Sequence, residues 1–327
     1  MITIEHEGFT SDFRVFDAHN HIGLDKEGLV NDSSFKDLEK VLGTIDKTVL
    51  FPANSPASGP FSILSNMEIL EAAKESKGKV IPFYRFDIFE AGGCKYWQTG
   101  LCAGEHRCLV KKYFEIDCCS GFDLEVFFKN IKRSGFSGLK LHARASEINY
   151  TTPKLDSDVF LEILSNAGKA GLAVTLHTHN KDMLHEFFNI AKKVLPENEK
   201  LVLICAHSGG GSTKQERRES REYAGKELNK LIKSGEAWVD RMLLETSNVF
   251  TAYLLNSLLL CKDMKKTSES IENARNVVYG TDWPFVKEIT PEQKAIKVIK
   301  SLLSASFTEK EIEMIMYSNL EKRIGGL

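Results

Sequence analysis

The chain has 327 residues, 42% apolar and 27% charged, the balance of a globular protein large enough to bury a substantial core. A net charge of −2 excludes the basic footprint of a nucleic-acid or anionic-membrane binder. No apolar run approaches the ~20 residues that span a bilayer. Residues 1–11 lack the basic start and apolar stretch of a signal peptide. Seven Cys, an odd number, argue against a disulfide framework, so a cytoplasmic protein is expected.

From the N-terminus, short apolar runs recur at 14–17, 47–51, 80–86, 138–141, 173–176, 201–205, 249–253 and 276–279. They are apolar on nearly every residue, as parallel strands covered on both faces are. Amphipathic helical patterns lie between them. Residues 123–134 carry Leu124, Phe127, Phe128 and Ile131 at helical spacing before Gly135, and 158–170 stop at Gly171. Residues 212–245 read as a long charged stretch, a solvated helix, and 254–260 as a buried helix. Thr290 to Gln293 is a capping box with Pro291 at the first helical position, and Thr308 with Glu311 opens the last helix.

Eight strands alternating with helices predict an α/β fold of the (β/α)8 TIM-barrel type, one domain over 1–327. A doubly wound open sheet is the alternative. It is disfavoured because no Gly-rich phosphate loop follows the first strand. Gly209, Gly210 and Gly211 lack the Lys-Ser/Thr of a P-loop and read as a tight turn. Residues 88–122 form an insertion after strand three, long enough to be a lid. It holds Cys94, Cys102, Cys108, Cys118 and Cys119, without the CxxC spacing of common zinc modules, and packed thiols are expected there.

The histidines fall at the ends of strands. His19 and His21 close strand one two residues apart, so extended backbone points both imidazoles the same way. His177 ends strand five, His207 ends strand six and Asp282 follows strand eight. Imidazole and carboxylate suit zinc and similar cations. Strands one and eight meet when a barrel closes, and the C-terminal face is where barrel enzymes place their chemistry. A single His after an apolar run is ordinarily a hydrogen-bonded core residue. The joint pattern is what points to a metal site. His179 shares a face with His177 and is a second candidate there; His6, His106 and His185 read as surface or loop residues.

These motifs, FDAHNH, GLKLH, VTLHTH, ICAHSGG and YGTDWPF, together with the closing YSNLEKRI, resemble the amidohydrolase superfamily. The branch they resemble is the amidohydrolase-related (amidohydrolase 2) metal-dependent hydrolases, a group that also contains decarboxylases. The resemblance runs from about residue 14 to the C-terminus and leaves 88–122 unmatched. It implies that His19, His21 and His177 hold a divalent metal, most often zinc. Asp282 would bind that metal, handle the proton of its water, or both. His207 would hydrogen-bond the substrate oxygen or the attacking water. Lys140 matches a position that other branches carboxylate to bridge two metals; this branch implies one.

The expected activity is hydrolysis of an amide, ester or lactone of a small molecule by metal-activated water, with Asp282 and His207 catalytic. The alternatives are non-oxidative decarboxylation of a small carboxylic acid at the same site and a non-catalytic metal-binding barrel. Arg85, Lys140, His142, Arg144 and His179 are the candidate substrate-binding residues; Arg85 could instead close the rim with Asp87. The expected partner is a small molecule, not nucleic acid or membrane, and homo-oligomerisation stays open.

Overall fold

The computed structural model describes residues 1–23, 34–53, 60–86, 123–142, 154–211, 213–247, 252–285 and 289–325. A hairpin opens the chain: β1 (Ile2–His6) pairs antiparallel with β2 (Phe9–Phe13), and Ile2, Ile4 and Phe13 join the core. Eight strands then form one parallel sheet in sequence order. They are β3 (Phe16–Ile22), β4 (Lys47–Pro52), β5 (Val80–Phe86), β6 (Gly138–Leu141), β7 (Ala173–His177), β8 (Leu203–Ala206), β9 (Met242–Glu245) and β10 (Val277–Val278).

The sheet closes on itself. Ala18 N donates to Tyr279 O at 2.9 Å, Asp282 N to His19 O at 2.7 Å and His21 N to Trp283 O at 2.8 Å, so β3 meets the end of β10. The fold is a (β/α)8 TIM barrel. Helices α1 (Phe35–Leu42), α2 (Pro60–Glu75), α3 (Leu124–Arg133), α4 (Asp158–Ala170), α5 (Lys181–Val194), α6 (Lys214–Lys233), α7 (Ala252–Leu259), α8 (Ser268–Ala274) and α9 (Pro291–Ser304) intervene. The short α10 (Glu309–Glu313) and α11 (Asn319–Ile324) end the described chain.

Local chemistry explains the boundaries. Asp123 caps α3 by accepting from Glu125 N and Val126 N. Gly171 ends α4 at φ 69°, a left-handed conformation that a side chain would strain. Thr290 and Gln293 form the reciprocal capping box of α9, with Pro291 first in the helix.

Two apolar layers result. The outer one lies between sheet and helices and includes Phe127, Phe128, Ile131, Phe160, Phe187 and Phe188. The inner one fills the barrel with Phe16, Val49, Phe51, Phe83, Ile204, Leu243 and Val278. Tyr317, Leu320 and Ile324 join this inner cluster, and Lys47 at the start of β4 pairs with Glu321 at 2.8 Å. The C-terminal helix therefore seals the end where strands begin.

Two expectations change. The seventh strand is Met242–Glu245, not 249–253; residue 252 onward is α7, with Leu254, Leu255, Leu258 and Leu259 buried. The charged stretch 212–245 holds a helix as expected, but the helix is not uniformly solvated, for Arg221 is fully buried within it. The cysteines of 88–122, together with His106 and Arg144, lie outside the described residues. Among the described residues no helix is long and apolar enough to cross a membrane.

Candidate metal centre and active site

A bulge sets the first two ligand candidates. Asp17 pairs with Thr48 and Asn20 with Leu50, so Ala18 and His19 together oppose Val49. The extra residue re-aims His19 into the barrel mouth beside His21. Their Nε2 atoms lie 3.1 Å apart, and Phe51 packs edge-on against both rings. Asp282 sits past β10 at φ 62°, a left-handed conformation uncommon for Asp outside turns. Asp17 holds that turn, accepting from His19 N, Thr281 N and Thr281 Oγ1 at 3.1, 3.0 and 2.6 Å. Asp282 Oδ1 thereby arrives 3.3 Å from His19 Nε2 and 3.2 Å from His21 Nε2.

His207 follows β8 at φ 67°, and Ser208 and Gly209 continue at 45° and 76°. Three left-handed residues in succession reverse the chain, so the tight turn expected at 209–211 begins two residues earlier, at His207. His207 stands between Asp282 and His177. Its Nδ1 is 3.9 Å from Asp282 Oδ2, and its Nε2 is 3.1 Å from His177 Nδ1. His142 stacks on His177 with ring centroids 3.8 Å apart, and His179 lies 5.6 Å from His177.

The sequence-predicted ligands are therefore brought together unequally. His19, His21 and Asp282 meet at one point. His177 is one ring further out, and His207 also comes close, since ligand atoms of His19, His207 and Asp282 all lie within 4.8 Å of one another. Lys140 Nζ is 3.4 Å from His19 Nε2. Arg85, paired in register with Lys140, donates Nη1 to Pro52 O and Ala53 O at 3.0 and 2.8 Å, which ties it to the end of β4.

Burial, above all, pushes His19, His142, His177 and His207 well below the usual imidazole range, helped at His19 and His207 by the Lys140 charge and at His177 by His142. These rings are neutral, as ligands must be. Their acceptors assign the protons. His19 Nδ1 faces Glu245 Oε2 at 3.0 Å and His21 Nδ1 faces Pro52 O at 3.2 Å, so both hydrogens sit on Nδ1. Both Nε2 lone pairs then converge with Asp282 Oδ1. Two imidazoles and a carboxylate oxygen presenting electron pairs to one point is a donor set that fits a divalent cation. The same burial pushes the Asp282 carboxyl up and the Lys140 ammonium down.

Sequence reasoning did not single out three buried residues that line the floor of this site. Glu245, at the end of β9, accepts from His19. Arg221 Nη2 donates to His207 O at 3.2 Å. Lys294 of α9 donates to Thr246 O and Gly280 O at 3.2 and 2.8 Å, and to Ser247 O. A carboxylate at the C-terminal end of the apolar run MLLE was the one available signal.

Residues 129–322, more than half of the chain, match the family model described as Amidohydrolase. Among solved structures, the chain resembles an amidohydrolase from Burkholderia multivorans with bound zinc: 11% identity, 95% of this chain and 99% of that one covered, TM-score 0.60. It also resembles 2,6-dihydroxybenzoate decarboxylase from Rhizobium: 14% identity, 96% and 99% covered, TM-score 0.57. A third is a probable 2-pyrone-4,6-dicarboxylic acid hydrolase from Acinetobacter baumannii: 14% identity, 95% and 99% covered, TM-score 0.52. At such identities the likeness speaks for the fold. No curated protein matches the sequence. The family match, the closed barrel and the cluster at its C-terminal mouth together place this chain in the amidohydrolase family of enzymes.

Proposed function

We propose that the chain is a metal-dependent hydrolase that cleaves an amide, ester or lactone bond of a small molecule. The observation that carries this reading is the meeting of His19 Nε2, His21 Nε2 and Asp282 Oδ1 within 3.1–3.3 Å of one another. His19, His21 and Asp282 would hold the cation, with His177 beside them, and zinc is the metal of first choice for imidazole and carboxylate. Bound there, it would supply Lewis acidity and bring the pKa of water from ~15.7 towards ~7.

The chain's own residues do the rest. Asp282, its carboxyl raised by burial, accepts a proton from water and returns it to the leaving group. His207 carries its proton on Nδ1, facing Ser247 Oγ at 2.6 Å, and offers Nε2 as an acceptor to orient that water. Lys140, beside His19, counters negative charge on the attacked oxygen.

A second reading, non-oxidative decarboxylation, is favoured by one observation: two buried cations, Arg85 and Lys140, stand side by side on paired strands where a carboxylate would be neutralised. Zinc-loaded protein assayed on lactones, esters, amides and unsaturated or aromatic acids in ¹⁸O-water separates the two. Hydrolysis puts solvent oxygen into the product and releases no carbon dioxide. Carbon dioxide release without solvent-oxygen incorporation would replace the first reading by the second.

A further inference from the structure

Beneath the site, one carboxylate touches both halves of it. Glu245 is fully buried, and its Oε2 accepts from His19 Nδ1 at 3.0 Å, His207 N at 3.0 Å and Ser247 Oγ at 2.7 Å. Ser247 Oγ spends its one hydrogen on Glu245, so at 2.6 Å from His207 Nδ1 it accepts. The proton of His207 is thereby fixed on Nδ1 through Ser247, as that of His19 is fixed directly. The backbone bond to His207 N also holds the first of the three left-handed residues that aim the ring.

We propose that Glu245 is the positioning residue of this enzyme: one buried carboxylate that sets the tautomer and direction of the metal-binding His19 and the water-orienting His207 together. The inference rests on the metal-centre reading above. It touches no reacting atom, and it acts through the two imidazoles. A carboxylate behind a metal-bound histidine raises ligand basicity and locks the ring. Here the same oxygen extends that control to a second histidine on another strand.

The surroundings are shaped for it. A Cβ on Gly280 would lie 2.0 Å from Glu245 Oε1 and 2.6 Å from its Cδ, so only glycine at 280 leaves the carboxylate its place. The buried Lys294 ammonium offsets part of the cost of burying its charge.

The test compares wild type, Glu245→Gln, Gly280→Ala and His19→Ala by competition for Zn²⁺ against a chelator, with thermal melting of each metal-free protein. Glu245→Gln is expected to melt cooperatively and to bind Zn²⁺ about 10–100-fold more weakly than wild type. Gly280→Ala, which leaves every ligand candidate in the chain, is expected to weaken binding in the same direction. Wild-type affinity in Glu245→Gln, alongside its loss in His19→Ala, would overturn the role of Glu245 and leave the metal centre standing. Equal affinity in wild type and His19→Ala would overturn the metal centre itself. One measurement needs no change at Glu245: the long-range ¹H–¹⁵N spectrum of metal-free wild type. It must show His19 and His207 protonated on Nδ1, and a proton on Nε2 of either would overturn the proposal even if Glu245→Gln failed to fold.

Discussion

Asp282→Asn is expected to lower kcat by about 10²–10⁴-fold, the usual contribution of a positioned acid–base group. The substitution keeps shape and removes the ability to take up a proton. Asp282 Oδ1 lies within 3.3 Å of both imidazole Nε2 atoms, and burial holds the carboxyl above its ordinary range, nearer the working pH of a proton shuttle. The amide also binds a cation less well, so rates are compared at saturating Zn²⁺ with metal content measured in each sample. A kcat within a few-fold of wild type at equal occupancy would remove Asp282 from proton transfer and leave it a ligand.

Lys294→Met is expected to cost about 3–5 kcal/mol of stability, the range for breaking a buried charge arrangement by deleting one partner. Methionine preserves the apolar stem. The ammonium is lost, and with it the donor to Gly280 O, Thr246 O and Ser247 O, which ties the ends of β9 and β10 to α9. Burial pushes this ammonium below the usual lysine range, and Glu245, Asp17 and Asp282 hold it up against that. Removing it leaves three buried carboxylates without their shared cation. Urea unfolding of wild type and variant gives the difference. A change under ~1 kcal/mol would show that the carbonyls and carboxylates find other partners.

The barrel was legible because both faces of its strands are buried. Such strands read as short continuous apolar runs, and seven of the eight stood where the runs did. The seventh failed for a physical reason. Met242–Glu245 is four residues long and ends in a charge, whereas the richer run around Leu254 is a helix whose apolar side packs against its neighbours α6, α8 and α9. His19, His21, His177, His207 and Asp282 were visible because strand ends are few and histidines are rare.

The floor of the site was hidden. Lys294 in PEQKAIKVIK and Arg221 in KQERRESREYAGK look like solvated charges on helices, and only the closed fold turns them inward. The bulge that separates Ala18 from His19 leaves no mark on composition. Nor do the left-handed conformations of His207, Ser208 and Asp282, since none of them is a glycine.

Zinc content after loading and dialysis tests the whole account most directly. Wild type should retain about one equivalent per chain, as a site built from histidines and a carboxylate does, and His19→Ala should retain less than about a tenth of that. Equal zinc in both proteins, or none in wild type, would contradict it.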